Sequence, residues 1–236
     1  MQYLNKIVLV TGARRGVGKL IANHFLNEGA LVIGFNKQRE DINEDTKYRP
    51  FQVNIADPNS VSNAFNEIRN LYGRVDITIN NAAVVTSQYS MIMPASAASD
   101  MININILGTF LVSREAAKLM RTNKWGRIIN IGSMASSLEP IGDSIYAASK
   151  GAIISLANVM AKEFATYNIT CNTLGISAIS TDMLKQLPKN KIDKVVFELT
   201  LPRYAKPEDI FNVIDFFASE NSSYITAQTI FLGGIN

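Results

Sequence analysis

The chain alternates short, β-branched apolar runs with longer segments in which apolar residues recur every three or four positions. Short runs of this kind predict buried strands, and the longer segments predict amphipathic helices. The predicted strands lie at 6–10, 31–35, 49–53, 76–80, 127–131, 169–174 and 229–232, and the predicted helices at 16–28, 59–72, 99–120, 144–167 and 207–219. This order predicts an α/β fold, a doubly wound parallel sheet of seven strands with helices on both faces.

No linker, repeat or low-complexity tract divides the chain, so we expect one domain of residues 1–236. The least regular segment, 180–204, follows the carboxyl end of the sixth predicted strand, where open α/β sheets bind their ligands. It predicts a substrate lid, and the alternative is an ordinary surface connection. No apolar run in the sequence approaches the ~18 residues that span a bilayer, and no secretory signal is evident, so we expect a cytoplasmic protein without a membrane segment.

Composition excludes several kinds of chemistry. The single cysteine, Cys171, permits no internal disulfide or thiolate metal cluster, and its place in a predicted strand indicates a small buried side chain. The single histidine, His24, lies on the first predicted helix, where packing or solvent exposure is the ordinary role, so no metal site is expected. The net charge of +3 is dispersed along the chain, which gives no support to nucleic-acid binding.

A glycine-rich turn separates the first predicted strand from the first helix. It contains Gly12, Arg14, Arg15, Gly16, Val17 and Gly18. Glycines let the backbone turn sharply and approach a pyrophosphate, and the helix N-terminus then faces the anion with free N–H groups. In this position the motif predicts a dinucleotide site on a Rossmann fold, and the alternative is a glycine turn without a ligand.

The end of the second predicted strand bears on which dinucleotide binds. An NAD site usually has a carboxylate here for the ribose 2′-OH, whereas this chain has Asn36 and Lys37, with no acid before Glu40. Lys37, with Arg14 or Arg15, would attract a 2′-phosphate. The sequence therefore predicts that NADP(H) is preferred over NAD(H), unless these cations are merely solvated.

Tyr146 and Lys150 are four residues apart on a predicted helix and so share one face. A neighbouring cation favours the phenolate, so the pair could exchange a proton with a carbonyl or alcohol oxygen. Ser133 ends the fifth predicted strand, where its hydroxyl could hold the reacting oxygen. Asn105 lies inside a predicted helix, a position where asparagine competes with the backbone hydrogen bonds.

These residues, together with the paired asparagines before Ala82 and Ala83, resemble the short-chain dehydrogenase/reductase family in its shorter single-domain form, over essentially the whole chain. The resemblance implies that Tyr146 is the general acid/base, that Ser133 orients the substrate, and that Lys150 lowers the tyrosine pKa and binds the nicotinamide ribose. It also implies a water held by Asn105 in a proton relay, and a homotetramer or dimer in which the helices carrying Asn105 and Tyr146 form much of one interface. Its implied coenzyme contacts are Asn54, Ile55, Asn81, Ala82, Ala83, Tyr146, Lys150, Ile179 and Thr181.

The chain departs from the family pattern at three places. Asn54 stands where an aspartate is usual, Ala83 replaces a glycine, and Ile176-Ser177 replace the Pro-Gly after the sixth strand. The last change puts the shape of the substrate loop in question.

The family subgroup nearest in appearance is the 3-oxoacyl-[acyl-carrier-protein] reductases, which implies a 3-oxoacyl-thioester substrate. Arg127 fits one carrier-docking position of that subgroup, but Tyr167 stands where another arginine is expected. The alternatives are a reductase or dehydrogenase of a sugar or other small ketone and, in another class, a non-catalytic NADP(H)-sensing or scaffold protein.

Overall fold

The computed structural model describes residues 1–40, 47–179, 193, 196, 197 and 199–234. The strands are β1 (Ile7–Thr11), β2 (Leu31–Asn36), β3 (Tyr48–Gln52), β4 (Ile77–Asn80), β5 (Gly126–Ser133), β6 (Ile169–Ile176) and β7 (Thr229–Phe231). The α-helices are α1 (Gly16–Asn27), α2 (Pro58–Tyr72), α3 (Ala95–Met101), α4 (Thr109–Asn123), α5 (Ala135–Leu138), α6 (Ser144–Phe164) and α7 (Pro207–Ala218). Short 3₁₀ turns occupy Ser90–Ile92, Ala165–Tyr167 and Glu220–Ser222, and Ile102–Gly108 is π-helical.

The strands form one parallel sheet in the order β3-β2-β1-β4-β5-β6-β7 within the described part of the chain. Every predicted strand overlaps an observed one, so the predicted fold class is confirmed. The assignment of residues 1–236 to one domain stays a prediction.

Each face of the sheet carries its own apolar core. Successive side chains of a strand point to opposite faces, so Leu9 of β1 packs with α2, α4 and α6, whereas Val8 and Val10 pack with α1 and α7. Because both faces are covered, the strands read as continuous apolar runs rather than as alternating ones.

The helix predicted at 99–120 starts earlier, at Ala95, and is not regular. Between α3 and α4 the backbone widens into the π-helical turn Ile102–Gly108, which contains Asn105. A Cβ on Gly108 would lie 2.8 Å from the Ile55 side chain, so glycine lets the loop after β3 approach this helix. π-Helical turns occur frequently at functional sites.

The combined helix Ala95–Asn123 is long and apolar enough to cross a membrane by length and composition alone. One side of it packs on the sheet through buried residues such as Leu111, Val112 and Ala116. Core helices pass the same length test, so this helix carries no membrane assignment.

The strand order reverses direction next to β1. The chain runs from β1 outward to β2 and β3, and then returns to place β4 on the other side of β1. At such a reversal the connections leave in opposite directions and open a crevice at the carboxyl edge, the edge of the sheet where the strands' carboxyl ends lie. The turn after β1 and the segment after β4 meet there.

Candidate active site and coenzyme site

The glycine turn has the shape that a pyrophosphate requires. Gly12 and Gly16 have φ of +68° and +56°, and a Cβ on Gly16 would meet nothing within 4 Å. A Cβ on Gly18 would lie 2.2 Å from the carbonyl oxygen of Gly12, so only glycine permits this contact. Within the described chain no side chain caps the start of α1, so the N–H groups of its first turn face the crevice free. The residues of this turn therefore fit a dinucleotide.

Thr11 and Asn81 join the glycine turn to the end of β4. The Thr11 hydroxyl accepts hydrogen bonds from the backbone N–H groups of Asn81 and Ala82, each at 2.9 Å. The Asn81 side-chain amide donates to the carbonyl oxygen of Thr11 at 2.9 Å. Thr11 was not among the predicted site residues, although its place directly before Gly12 could have indicated it. Asn81 holds the turn in place, and its predicted contact with the coenzyme is not tested by these bonds.

The end of β2 carries polar groups and no aspartate. The Asn36 side-chain oxygen accepts a hydrogen bond from the backbone N–H of Arg14 at 3.0 Å, which links β2 to the glycine turn. Arg14, Arg15 and Lys37 are exposed, and the Arg14 guanidinium donates to the side chain of Gln38. Three cations therefore lie on the turn and strand end where the ribose of a dinucleotide binds.

The remaining predicted coenzyme contacts lie on three loops. After β3, Asn54 is exposed and Ile55 is buried against the π-helical turn. Ala83 follows β4 and is partly exposed. Beyond β6, Ile179 is buried and pairs with Ala205. Thr181 and the predicted lid, except for 193, 196, 197 and 199–204, lie outside the described residues.

The replacement of the family's Pro-Gly by Ile176-Ser177 leaves the sheet intact. Ile176 ends β6 opposite Ser133 of β5, and its carbonyl oxygen accepts a hydrogen bond from the Met134 N–H at 2.9 Å. Ser177 is buried. Val196, from the predicted lid, packs with Met134 and Ala178 directly beyond these strand ends.

Tyr146 and Ser133 form the center of the candidate active site. Ser133 ends β5 at the carboxyl edge, and Tyr146 lies in the first turns of α6 with its phenol directed toward the Ser133 hydroxyl. Burial raises the pKa of the phenol, the neighbouring Ser133 hydroxyl lowers it, and the Asp143 carboxylate raises it, with a net increase. The phenol is thus held protonated, as a proton donor must be.

Lys150 lies beneath this pair and is buried. Its ammonium donates to the carbonyl oxygen of Ile131 at 2.8 Å, and Nζ lies 5.9 Å from the centroid of the Tyr146 ring. Burial alone lowers the pKa of Lys150 to about 8. The pKa of Tyr146 is raised overall, with burial as the largest cause, and the lowering influence that the resemblance implies for Lys150 stays a prediction.

Asn105 joins three elements of the site. Its side-chain oxygen accepts from the Val84 N–H at 2.9 Å, and its amide nitrogen donates to the Val84 carbonyl and to the Ser149 hydroxyl, each at 3.0 Å. The Asn105 carbonyl oxygen accepts from the Thr109 hydroxyl at 2.8 Å. These bonds fix the segment after β4 against α6, and the relay water predicted for Asn105 stays a prediction.

The carrier-docking role considered for Arg127 is wrong for this structure. Arg127 is fully buried at the start of β5, the strand that ends at Ser133 on the opposite edge of the sheet. Its guanidinium donates to the carbonyl oxygens of Gly126 and Ser219 and stacks 4.5 Å from the Trp125 ring. A side chain buried in this way cannot present its charge to another protein.

Comparison with known proteins gives the class of this one. The family model described as short chain dehydrogenase matches residues 6–192. Curated relatives include the 3-oxoacyl-[acyl-carrier-protein] reductases of Thermotoga maritima, 31% identical over 99% of this chain and 98% of the relative, and of Aquifex aeolicus, 32% identical over 97% and 96%. The chain belongs to the short-chain dehydrogenase/reductase family of oxidoreductases.

Solved structures of the same family share the whole fold. A putative gluconate dehydrogenase from Agrobacterium tumefaciens has a TM-score of 0.90 and 25% identity, over 99% of this chain and 96% of that one. The aldohexose dehydrogenase of Thermoplasma acidophilum has a TM-score of 0.88 and 26% identity, over 98% and 94%. The relatives of this chain therefore carry names that indicate two kinds of substrate. The curated sequence relatives are named for 3-oxoacyl groups, and the solved structures are named for gluconate and aldohexose.

Proposed function

We propose that this protein is an NADP(H)-dependent oxidoreductase that interconverts a ketone and a secondary alcohol, with a 3-oxoacyl thioester as its substrate. The observation that carries the proposal is the Tyr146–Ser133 pair at the carboxyl edge of the sheet, with the buried ammonium of Lys150 beneath it. The glycine turn lies at the same edge and fits a dinucleotide.

The chemistry needs a hydride at the carbonyl carbon and a proton at the carbonyl oxygen. A bound reduced nicotinamide supplies the hydride. The Ser133 hydroxyl holds the carbonyl oxygen, and the Tyr146 hydroxyl transfers its proton to that oxygen as the alcohol forms. The raised pKa of Tyr146 keeps this proton in place at neutral pH, so the phenol is in the form that the reduction requires. Lys150 holds a positive charge near the phenolate that remains.

The preference for NADP(H) rests on charge at the end of β2. Asn36 occupies the position where NAD enzymes use a carboxylate, and Arg14, Arg15 and Lys37 are exposed around it. These cations would attract a bound 2′-phosphate, and an arginine guanidinium can donate two parallel hydrogen bonds to it.

The entrance to the site favours an apolar substrate chain. Two loops, after β4 and after α5, are tied together by the bond from the Gln88 N–H to the Gly142 carbonyl, at 2.7 Å. Large apolar side chains of these loops are exposed, namely Tyr89, Met91, Ile92 and Ile141, with Met91 98% and Ile141 76% exposed. We define these four residues as the apolar rim. An acyl chain would remove this apolar surface from water, which is favourable, whereas a sugar would leave it exposed to water.

The second candidate is the oxidation or reduction of an aldohexose or related sugar. The two solved structures named above favour it, since their titles name gluconate and aldohexose. Arg127 is buried and offers no contact to an acyl carrier protein, so any docking of a carrier-bound thioester would depend on other residues.

The test is a set of initial-rate measurements with NADPH. Acetoacetyl and 3-oxohexanoyl thioesters and a panel of hexoses are compared, and kcat/KM is expected to be highest for the longer thioester, with a gain of up to about fourfold for each buried methylene. Met91→Ser with Ile141→Ser should reduce that gain without changing turnover of acetoacetyl thioester. A higher kcat/KM for hexoses would replace the thioester assignment by the sugar one.

The catalytic assignment has its own control. Tyr146→Phe removes the transferable proton and keeps the ring, so turnover should be abolished while the Kd for NADPH is unchanged. Turnover close to the parent rate would refute the role of Tyr146. NADPH binding without turnover of any ketone by the parent protein would favour the non-catalytic sensor.

A further inference from the structure

Glu40 is four residues beyond β2 in sequence, yet its carboxylate returns to the end of that strand. Its Oε2 accepts a hydrogen bond from the Asn36 amide nitrogen at 2.6 Å and another from the Tyr48 hydroxyl at 3.1 Å. The Tyr48 oxygen also lies 3.1 Å from the Asn36 amide nitrogen. The carboxylate of Glu40 therefore lies at the end of β2, where the sequence shows no acid before Glu40 itself.

The position of Tyr48 is made possible by Gly34. A Cβ on Gly34 would lie 2.2 Å from the Tyr48 oxygen, so any other residue at this strand position would displace the phenol. Burial raises the pKa of Tyr48 to about 12, and the Glu40 carboxylate adds to the increase. The phenol thus stays protonated and serves as a permanent donor to Glu40.

This network also fixes which way the Asn36 amide faces. Its oxygen accepts from the Arg14 N–H, while its nitrogen donates toward Glu40 and Tyr48. The Glu40 and Tyr48 oxygens are themselves 3.1 Å apart, so both lie on the same side of this amide nitrogen and hold it in place. The amide oxygen keeps one lone pair, which can accept from a ribose 2′-OH. The amide orientation set by Glu40 suits an unphosphorylated ribose.

We propose that Glu40, oriented by Tyr48, is a specificity-determining residue of the coenzyme site that limits the preference for NADP(H) over NAD(H). Arg14, Arg15 and Lys37 attract a 2′-phosphate, and Glu40 opposes them by its charge and by fixing the orientation of the Asn36 amide. The inference rests on the proposed coenzyme site, and it makes the balance between the two coenzymes depend on Glu40 as well as on the three cations.

Four substitutions separate the charge of Glu40 from the orientation of the network. Glu40→Gln keeps an acceptor for Asn36 and removes only the charge. Glu40→Ala also releases the Asn36 amide. Tyr48→Phe removes the donor that orients Glu40, and Gly34→Ala should act in the same direction as Tyr48→Phe by displacing the phenol. Glu163→Gln is the matched control, because Glu163 is exposed on α6.

The readout is the Kd of NADPH and of NADH, each measured by calorimetry at one fixed ionic strength. Glu40→Gln should lower the ratio of the NADPH Kd to the NADH Kd about tenfold, as expected for removing one like charge several ångströms from a phosphate. Glu40→Ala should lower it further, and Glu163→Gln should leave it unchanged.

The outcomes distinguish this inference from the proposed function. An unchanged ratio in both Glu40 variants, with NADH still bound, would overturn the role of Glu40 and leave the coenzyme site standing. Failure of the parent protein to bind either nucleotide would overturn the coenzyme site itself. Retained NADH binding also shows that each variant is folded.

Discussion

Replacing Lys150 by methionine should produce a protein that is inactive and, at neutral pH, more stable. The lysine is buried, and burial lowers its pKa from 10.5 to about 8 because the charged form is costly inside the protein. The pKa difference of about 2.5, at about 1.4 kcal/mol for each pH unit, means that the buried charge destabilises the folded protein by about 3 kcal/mol at pH 7. Methionine fills a similar volume without a charge.

The sign of the pH dependence follows from the same two values. Between pH 8 and 10.5 the unfolded lysine keeps its proton and the folded one loses it, so the stability of the parent protein rises with pH across this window. The cost of the buried charge therefore falls from about 3 kcal/mol at pH 7 to about 1 kcal/mol at pH 10. Loss of the bond to the Ile131 carbonyl costs about 2 kcal/mol at pH 7, where the donor is an ammonium, and about 1 kcal/mol at pH 10, where it is a neutral amine.

The two contributions together predict a stability difference that disappears as the pH rises. Lys150→Met should be about 1 kcal/mol more stable than the parent at pH 7, a rise in Tm of about 2–4 °C, and as stable as the parent at pH 10. Urea unfolding followed by circular dichroism at both pH values measures it, with Lys162→Met, an exposed position on the same helix, as control. A difference between Lys150→Met and parent that is constant from pH 7 to 10 would refute the reasoning.

Two further changes test the coenzyme site. Gly18→Ala places a methyl group 2.2 Å from the Gly12 carbonyl oxygen and should cost about 1–3 kcal/mol in urea unfolding, whereas Gly151→Ala, in open space on α6, should gain about 0.5–1 kcal/mol; equal effects would contradict the close contact. Lys37→Asp should raise the Kd of NADPH relative to that of NADH about tenfold or more, measured by calorimetry, and an unchanged ratio would remove Lys37 from the 2′-phosphate site.

The sequence was sufficient to predict the sheet and the edge at which the candidate site residues meet, because both depend on local patterns. β-Branched runs predict strands wherever they are buried, and the carboxyl ends of parallel strands meet at one edge, which brings the Gly12 turn and Ser133 to the same side. Tyr146 and Lys150 needed only helical spacing. The odd position of Asn105 inside a helix was visible, but not the π-helical turn that accommodates it.

What the sequence did not reveal depends on burial and on distant contacts. Glu40 lies four residues beyond β2 in the sequence, and that spacing alone does not place its carboxylate at the strand end. The absence of a side chain at Gly34 leaves room for the Tyr48 phenol, which donates a hydrogen bond to Glu40. Nothing in the sequence indicates that Arg127 is buried, because its contacts with Trp125 and the Ser219 carbonyl depend on the folded structure. The net upward shift in the pKa of Tyr146 depends first on how far the fold buries the phenol, which the spacing of Tyr146 and Lys150 does not show.

The widened turn at Ile102–Gly108 has a consequence for how the chain tolerates insertions and deletions. Losing one residue there would let the backbone close into an ordinary α-helix, and each residue of such a helix accounts for a rotation of about 100°. Asn105 and everything before it would then turn relative to α4, and the amide would point away from the Val84 backbone. A shorter helix would be more regular in geometry, yet it would no longer join the β4 loop to α6.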